Sequence, residues 1–289
     1  MARPAILVTG GSGQVGSGLR QLADHFGVEL ATPGRDSLDL MSPASIAAAV
    51  AARDWSAIIN CAAYTAVDRA ESEPDAAYAV NAIAPGLLGE AAAARRIRLL
   101  HVSTDYVFDG AKPTPYVEDD PVAPLGVYGA SKEAGERAVR AADDDHVILR
   151  TAWVISPWGH NFVKTMLRLA AERPALRVVA DQIGCPTSAV DIAEALLTMA
   201  TKGGPAGTFH FVNRGDASWH TLAEAVIARA GLSTPVEAIA TADYPTPARR
   251  PANSRLATGR ITRDYGIRPR PWQDALDEII SALLESDRR

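Results

Sequence analysis

The chain has 289 residues, 47% of them hydrophobic, with a mean hydropathy of -0.01 and a formal net charge of -5, enough apolar material for one large or two moderate cores. The acidic balance excludes a general nucleic-acid binder while leaving room for a local basic pocket that takes a phosphorylated ligand. Only Cys61 and Cys185 occur, the six histidines lack metal-type spacing, Met1 to Pro4 lacks the basic start and apolar core of a targeting signal, and no apolar run suits a membrane span; a cytoplasmic protein with reduced thiols and no structural metal is expected.

Ala5-Ile6-Leu7-Val8 is a short apolar run of the kind that forms a buried parallel strand, and it leads directly into Thr9-Gly10-Gly11-Ser12-Gly13-Gln14-Val15-Gly16. Gly10, Gly13 and Gly16 then open a helical stretch through Leu19 and Leu22. A tight strand-to-helix turn needs residues without a Cβ, and so does a backbone that approaches a pyrophosphate at the positive end of a helix. A flexible loop also uses glycines; the position between strand and helix favours a dinucleotide turn.

Further along, Ala57-Ile58-Ile59, Arg98 to Val102 and Val147-Ile148-Leu149 read as strands, separated by alanine-rich helical segments at 43–53, 75–95 and 128–142. This alternation predicts a doubly wound parallel α/β sheet, Rossmann-like, over 1–156. Beyond it the pattern turns irregular and proline-rich. Gly207 to Asn213 reads as a late strand that rejoins the sheet, leaving 157–180 and 214–289 for a smaller, discontinuous substrate domain. Ala242 to Pro251 is expected to be a long ordered loop stiffened by its prolines. Nearby Arg249, Arg250 and Arg255 form either a solvated surface cluster or a diphosphate clamp, since guanidinium forks match phosphate geometry.

In such a sheet, ligands gather at the carboxyl ends of the strands. Asn60-Cys61-Ala62-Ala63-Tyr64-Thr65 follows the third strand and Ser103-Thr104-Asp105-Tyr106 the fourth. Ala62 and Ala63 are small enough for a cofactor to lie against the backbone, and Thr104 could aim a hydroxyl at a substrate oxygen; an N-cap or turn would use the same residues. Tyr128 and Lys132 lie four residues apart, on one face of the helix expected at 128–142. A nearby ammonium stabilises a phenolate, lowering a pKa that is ordinarily about 10. Moving it three units takes roughly 4 kcal/mol, more than one exposed ammonium supplies, so burial and a cofactor cation have to contribute.

Several longer motifs carry a resemblance: Gly10-x-x-Gly13-Gln14-Val15-Gly16, Ala63 to Glu71, Ser103 to Gly110, Tyr128-x-x-x-Lys132, Arg150 to Val154, and Arg250-Pro251-x-Asn253-Ser254-Arg255-Leu256. Over nearly its whole length the chain resembles the extended short-chain dehydrogenase/reductases, and among them the dTDP-4-dehydrorhamnose reductases. The resemblance implies hydride transfer from NADPH, with NADH as a possible substitute, to the C4 ketone of dTDP-4-dehydro-6-deoxy-L-mannose, giving dTDP-L-rhamnose. Tyr128 would protonate the new alkoxide, Lys132 would bind the nicotinamide ribose, and Thr104 would hold the ketone oxygen. Gln14 and Val15 fall within the glycine turn, Asp39 and Leu40 match positions near the adenine, and Ala62, Ala63, Tyr64 and Thr65 match the cofactor side. Thr104, Asp105, Tyr106 and Trp153 would line the sugar, and Asn253 and Arg255 would reach the nucleotide. Arg35, just past the second strand, is placed to accept the 2′-phosphate of NADPH, or is a plain turn residue.

Two departures bear on the alternatives. Sugar-nucleotide dehydratases of the same fold commonly carry Asp-Glu after the Thr, whereas Asp105 is followed by Tyr106; this and the retained Thr104, Tyr128 and Lys132 favour a reductase over a dehydratase, an epimerase or a silent regulatory subunit. Some family members form a magnesium-bridged dimer through glutamates, and the matching positions here are Gly18 and Val190. A monomer or a metal-independent dimer is expected, with a dTDP-sugar as its partner and neither nucleic acid nor membrane.

Overall fold

The computed structural model describes residues 3–286. The first half runs β1 (Ala5–Thr9), α1 (Gln14–Leu22), β2 (Glu29–Ala31), α2 (Pro43–Ala51), β3 (Ala57–Asn60), α3 (Val67–Ala70), α4 (Pro74–Tyr78), α5 (Ala84–Ala94), β4 (Leu99–Thr104), α6 (Val127–Ala142) and β5 (His146–Thr151). The second half runs β6 (Val154–Ile155), α7 (Phe162–Glu172), β7 (Leu176–Val179), β8 (Ile183–Gly184), β9 (Thr187–Ser188), α8 (Ala189–Lys202), β10 (Gly207–His210), β11 (Ala217–Ser218), α9 (Trp219–Arg229), β12 (Val236–Ile239), α10 (Gly259–Tyr265) and α11 (Trp272–Ser286).

Six strands form one sheet in the order β10-β5-β4-β3-β1-β2, every pairing parallel. Its strands are apolar almost continuously because helices cover both faces. Successive side chains point to opposite faces: Ile6 and Val8 of β1 pack with Leu19 of α1 and Ile192 and Leu196 of α8, whereas Leu7 packs with Ile46 of α2 and Leu88 of α5. β2 lies on one side of β1 and β3 on the other, so the strand order reverses there and a crevice opens beyond Thr9 and Asn60, which are paired in register.

The helix expected over 75–95 is interrupted. A π-helical turn, Ala79–Ile83, separates α4 from α5, and Pro85 stands in the first turn of α5. Proline has no N–H to give the carbonyl four residues back, which is Asn81, so the ladder shifts register at that point. The freed carbonyl faces α6, where a Cβ at Gly135 would lie 2.0 Å from Asn81 O.

A second core lies among α7, α9 and α11, with Val163, Met166, Leu222, Val226 and Leu276 at its centre. Short two-stranded pairings, β8 with β11, β7 with β12 and β6 with β9, frame it. Ile261 of α10 belongs to the first core instead, and Tyr265 packs edge-on against Phe209 of β10 at 5.1 Å. Within 214–289, α10 therefore packs with the sheet and α9 and α11 with the second core. Among the described residues no helix is long and apolar enough to cross a membrane.

Candidate active site

The glycine turn after β1 is built by close approach. Gly10 has a positive φ of 70°, and a Cβ there would lie 2.6 Å from the Ala62 nitrogen; one at Gly16 would lie 2.5 Å from Gly11 O. Gly13 is the N-cap of α1 and has no side chain to satisfy the first amides of that helix, which leaves them free for an anion at the positive end of the dipole. Arg20 braces the turn from within α1, donating to Gly11 O and to Ser17 Oγ. Val15 packs on the first core. Gln14 is tied across the crevice: its Oε1 accepts from Ser156 Oγ at 2.7 Å and from Asn161 Nδ2 at 3.0 Å. Glycines a Cβ would jam and uncapped helix amides fit a dinucleotide at this crevice.

Beyond β2, Arg35 is exposed and Asp39 is an exposed turn residue whose carboxylate accepts from the Met41 amide, while Leu40 packs on the core beneath α2. After β3, Ala62 and Ala63 are half-buried and Thr65 is exposed. Tyr64 is fixed by a residue the sequence reading passed over. The buried Asn81 side chain accepts from the Tyr64 amide at 2.8 Å, donates to Tyr64 O at 3.1 Å, and donates to Ser131 Oγ at 3.0 Å. Ser131 in turn donates to Tyr128 O at 2.8 Å. The π-turn thus couples the loop after β3 to the first turn of α6. An amide in an otherwise alanine-rich helical run was the available signal.

Thr104 ends β4 and caps a short 3-10 turn, Asp105–Val107, accepting from the Tyr106 amide at 3.2 Å and donating to Asp105 Oδ1 at 3.0 Å. It caps the turn and lies near the Tyr128 phenol. Tyr106 meets Tyr128 edge to face at 5.4 Å. Burial pushes the Tyr128 phenol up to about 12, against the nearby Thr104 hydroxyl and helped by the Asp105 charge. The lowering expected from Lys132 is not found. Lys132 Nζ lies inside the sheet edge, 2.8 Å from Val102 O and 3.2 Å from His101 Nε2; burial brings it down to about 8. Asp105 is pushed up to about 6 by burial, against the hydrogen bond from Thr104 and the nearby Ser254 hydroxyl, and its Oδ2 has no partner.

One turn along α6, Glu136 is fully buried and accepts from Ser103 Oγ at 2.6 Å and from Arg150 at 2.9 and 2.7 Å. Burial alone would raise this carboxyl; the Arg150 guanidinium outweighs it and leaves the group below its usual range. The buried pair locks α6 to β4 and β5 beneath the phenol.

On the opposite wall Trp153 adopts a left-handed φ of 48° and stacks flat on Trp219 at 3.5 Å. Gly184 makes room, since a Cβ there would lie 2.4 Å from the Trp153 ring. Asn253 and Arg255 are engaged within the chain: Asn253 donates to Lys112 O and Thr114 O, and Arg255 donates to Asn253 Oδ1, Pro113 O and Asp216. Arg250 pairs with Asp68 at 2.9 Å, so Arg250 and Arg255 brace separate segments and do not converge as one clamp.

Known proteins resemble this chain along its whole length. The family model described as RmlD substrate binding domain matches residues 4–285. A dTDP-4-dehydrorhamnose reductase of Sinorhizobium fredii is 46% identical over 96% of this chain and 97% of its own. Among solved structures, a dTDP-4-dehydrorhamnose reductase from Clostridium acetobutylicum superimposes with a TM-score of 0.94 at 36% identity, covering 97% of this chain and 99% of that one. One from Bacillus anthracis in complex with NADP gives 0.91 at 33% identity over the same shares. By match and by architecture, the chain belongs to the dTDP-4-dehydrorhamnose reductase family.

Proposed function

We propose that the chain is an NADPH-dependent reductase, with NADH as a weaker substitute, that converts the C4 ketone of dTDP-4-dehydro-6-deoxy-L-mannose to the alcohol of dTDP-L-rhamnose. The observation that carries the reading is Tyr128 set against Tyr106, two residues past Thr104, at the carboxyl edge of the sheet, beside a crevice whose glycines have no room for a Cβ.

When bound, the reduced nicotinamide supplies the hydride; the chain supplies position and the proton. Gly10, Gly13 and Gly16 with the first amides of α1 hold the diphosphate, Arg35 meets the 2′-phosphate, Asp39 and Leu40 border the adenine, and Ala62 to Thr65 with Lys132 hold the nicotinamide side. A phenol that titrates near 12 stays protonated at neutral pH, which is the form a proton donor to an alkoxide needs. Thr104 directs its hydroxyl at the same oxygen. Tyr106 and Trp153 make apolar walls for the deoxy sugar, Asp105 lies beneath it, and Asn253 and Arg255 shape the nucleotide end through the loop at 112–114. On this reading the second core is the sugar-nucleotide half of the enzyme.

The test is direct: the protein is incubated with NADPH or NADH and dTDP-4-dehydro-6-deoxy-L-mannose, cofactor oxidation is followed, and the product is identified. Oxidation matched by dTDP-L-rhamnose is expected, faster with NADPH. No oxidation above background with either cofactor overturns the reading.

A further inference from the structure

Gln14 is the first residue of α1, one place past the Gly13 cap, so its backbone N–H is among the free amides that face an anion at the glycine turn. Its side chain leaves the turn and crosses the crevice. Oε1 lies 2.7 Å from Ser156 Oγ and 3.0 Å from Asn161 Nδ2, and a Cβ at Gly159, where φ is 63°, would meet Gln14 Cγ at 3.4 Å. Ser156 is fully buried and Asn161 is 7% exposed. Both belong to the turn between β6 and α7, at the entrance to the second core.

The polarity of this knot is fixed from its far side. The Lys164 amide can only donate, so the Asn161 atom that faces it at 3.3 Å is Oδ1; this is the N-cap bond of α7. Asn161 therefore turns its NH2 toward Ser156 O at 2.8 Å and Trp158 O at 3.2 Å, which can only accept, and toward Gln14. The Gln14 atom that meets an NH2 has to accept, which makes it the carbonyl oxygen. Ser156 Oγ closes the turn by accepting from the Trp158 amide at 3.2 Å. Reversing either amide would set donors against donors or acceptors against acceptors, which is costly where water is excluded.

Asn161 is followed by Phe162, whose ring lies 4.8 Å from that of Trp219. Trp219 stacks on Trp153 and donates from Nε1 to Gln182 Oε1 at 3.1 Å. The first turn of α7 thus supports the back of the aromatic wall. Gln14 meets the anion site with its main chain and the support of that wall with its side chain.

We propose that Gln14 is a positioning residue that couples the two halves of the crevice: a dinucleotide held by the first amides of α1 steadies the start of α7 and the Trp153–Trp219 wall, and a nucleotide bound across the crevice steadies the dinucleotide in return. Two states are involved. In the docked state the turn at 156–161 sits on Gln14 Oε1; in the undocked state the Ser156 and Asn161 donors lose that acceptor and α7 frays from its N-terminus. A diphosphate on the Gln14 amide holds the first residue of α1 in place and favours the docked state, and a coupling of this kind is equal in both directions. The proposal rests on the cofactor and nucleotide placements of the reductase reading.

Hydrogen exchange and calorimetry test it with NADP+ and dTDP as probes, without turnover. In the wild-type protein, saturating NADP+ is expected to slow exchange over residues 158–166, which include the Trp158 and Lys164 amides bonded within the turn, by more than it slows exchange over α11. It is also expected to tighten dTDP by about fivefold or more. Gln14→Met keeps the backbone amide and the length of the side chain but removes Oε1; the extra protection is expected to vanish and the tightening to fall below about twofold. Gln14→Glu restores the acceptor, and the tightening is expected to return although the added charge weakens NADP+ itself. A brace that only stabilised the fold would change stability in the variants and leave untouched the ratio of dTDP affinities with and without NADP+. NADP+ binding with no added protection over 158–166 overturns the proposal on the wild-type protein alone. So does a ratio that survives Gln14→Met or stays lost in Gln14→Glu. Failure of NADP+ to bind at all overturns the cofactor reading and this proposal together, so the two failures are told apart by binding itself.

Discussion

At the scale of single residues, the site is made of groups moved away from their solution behaviour by burial. Tyr128 sits near 12 and Asp105 near 6. With Tyr128 as the proposed proton donor, Tyr128→Phe removes the proton while keeping the ring that meets Tyr106, so turnover is expected to fall by roughly 10²- to 10⁴-fold with NADPH affinity nearly unchanged, as read by cofactor fluorescence titration beside steady-state rates. Asp105 makes a different prediction. Its carboxyl binds its proton more tightly in the fold than in the unfolded chain, so the cost of ionising it is absent below its ordinary titration range, grows as pH rises to about 6 and is fully present above. Asp105→Asn is therefore expected to raise unfolding free energy by roughly 1 to 3 kcal/mol at neutral pH and by little in acid, measured by urea unfolding under both conditions.

At the scale of elements, the glycine turn and the π-turn each depend on one residue. Gly16→Ala would drive a Cβ against the carbonyls of Gly10 and Gly11, displacing the start of α1; a loss of roughly 2 kcal/mol or more in stability is expected, with a larger relative loss in NADPH affinity than in dTDP affinity, measured by calorimetry. The strands, the glycine turn and the Tyr128-to-Lys132 spacing were legible in the sequence because burial on both faces and four-residue helical spacing leave local signatures. Asn81, Ser131, Ser156 and Asn161 were not. Their roles come from contacts between elements, as when Asn81 reaches both Tyr64 and Ser131, and no local pattern records such a meeting. Tyr128 and Lys132 also share a face as expected, yet the lysine turns inward to His101, because the direction of a long flexible chain depends on what the neighbouring strands offer.

At the scale of the whole molecule, two cores flank the crevice, and α1 packs tightly on α8. Gly18 lies at that contact, where a Cβ would be 2.8 Å from Ala189 O, next to Val190. A glutamate at position 18 would need the two helices to part, and among the described residues no cluster of acidic, histidine or cysteine side chains is arranged to hold a metal. The hydrodynamic size of the protein, whether monomer or dimer, is expected to be the same with and without EDTA, as measured by light scattering; dissociation on chelation would show a metal-built interface.

The flat stack of Trp153 on Trp219, 3.5 Å apart with an 8° tilt, has a further consequence. Two indoles held this close are coupled chromophores, and the protein fixes their mutual angle through the left-handed backbone at Trp153 and the space left by Gly184. The near-ultraviolet circular dichroism of the chain therefore carries an exciton signature belonging to one wall of the crevice. On the proposed placement of the sugar against Trp153, binding would change the surroundings of one partner only, giving the protein its own optical gauge of occupancy, readable without a label and without turnover.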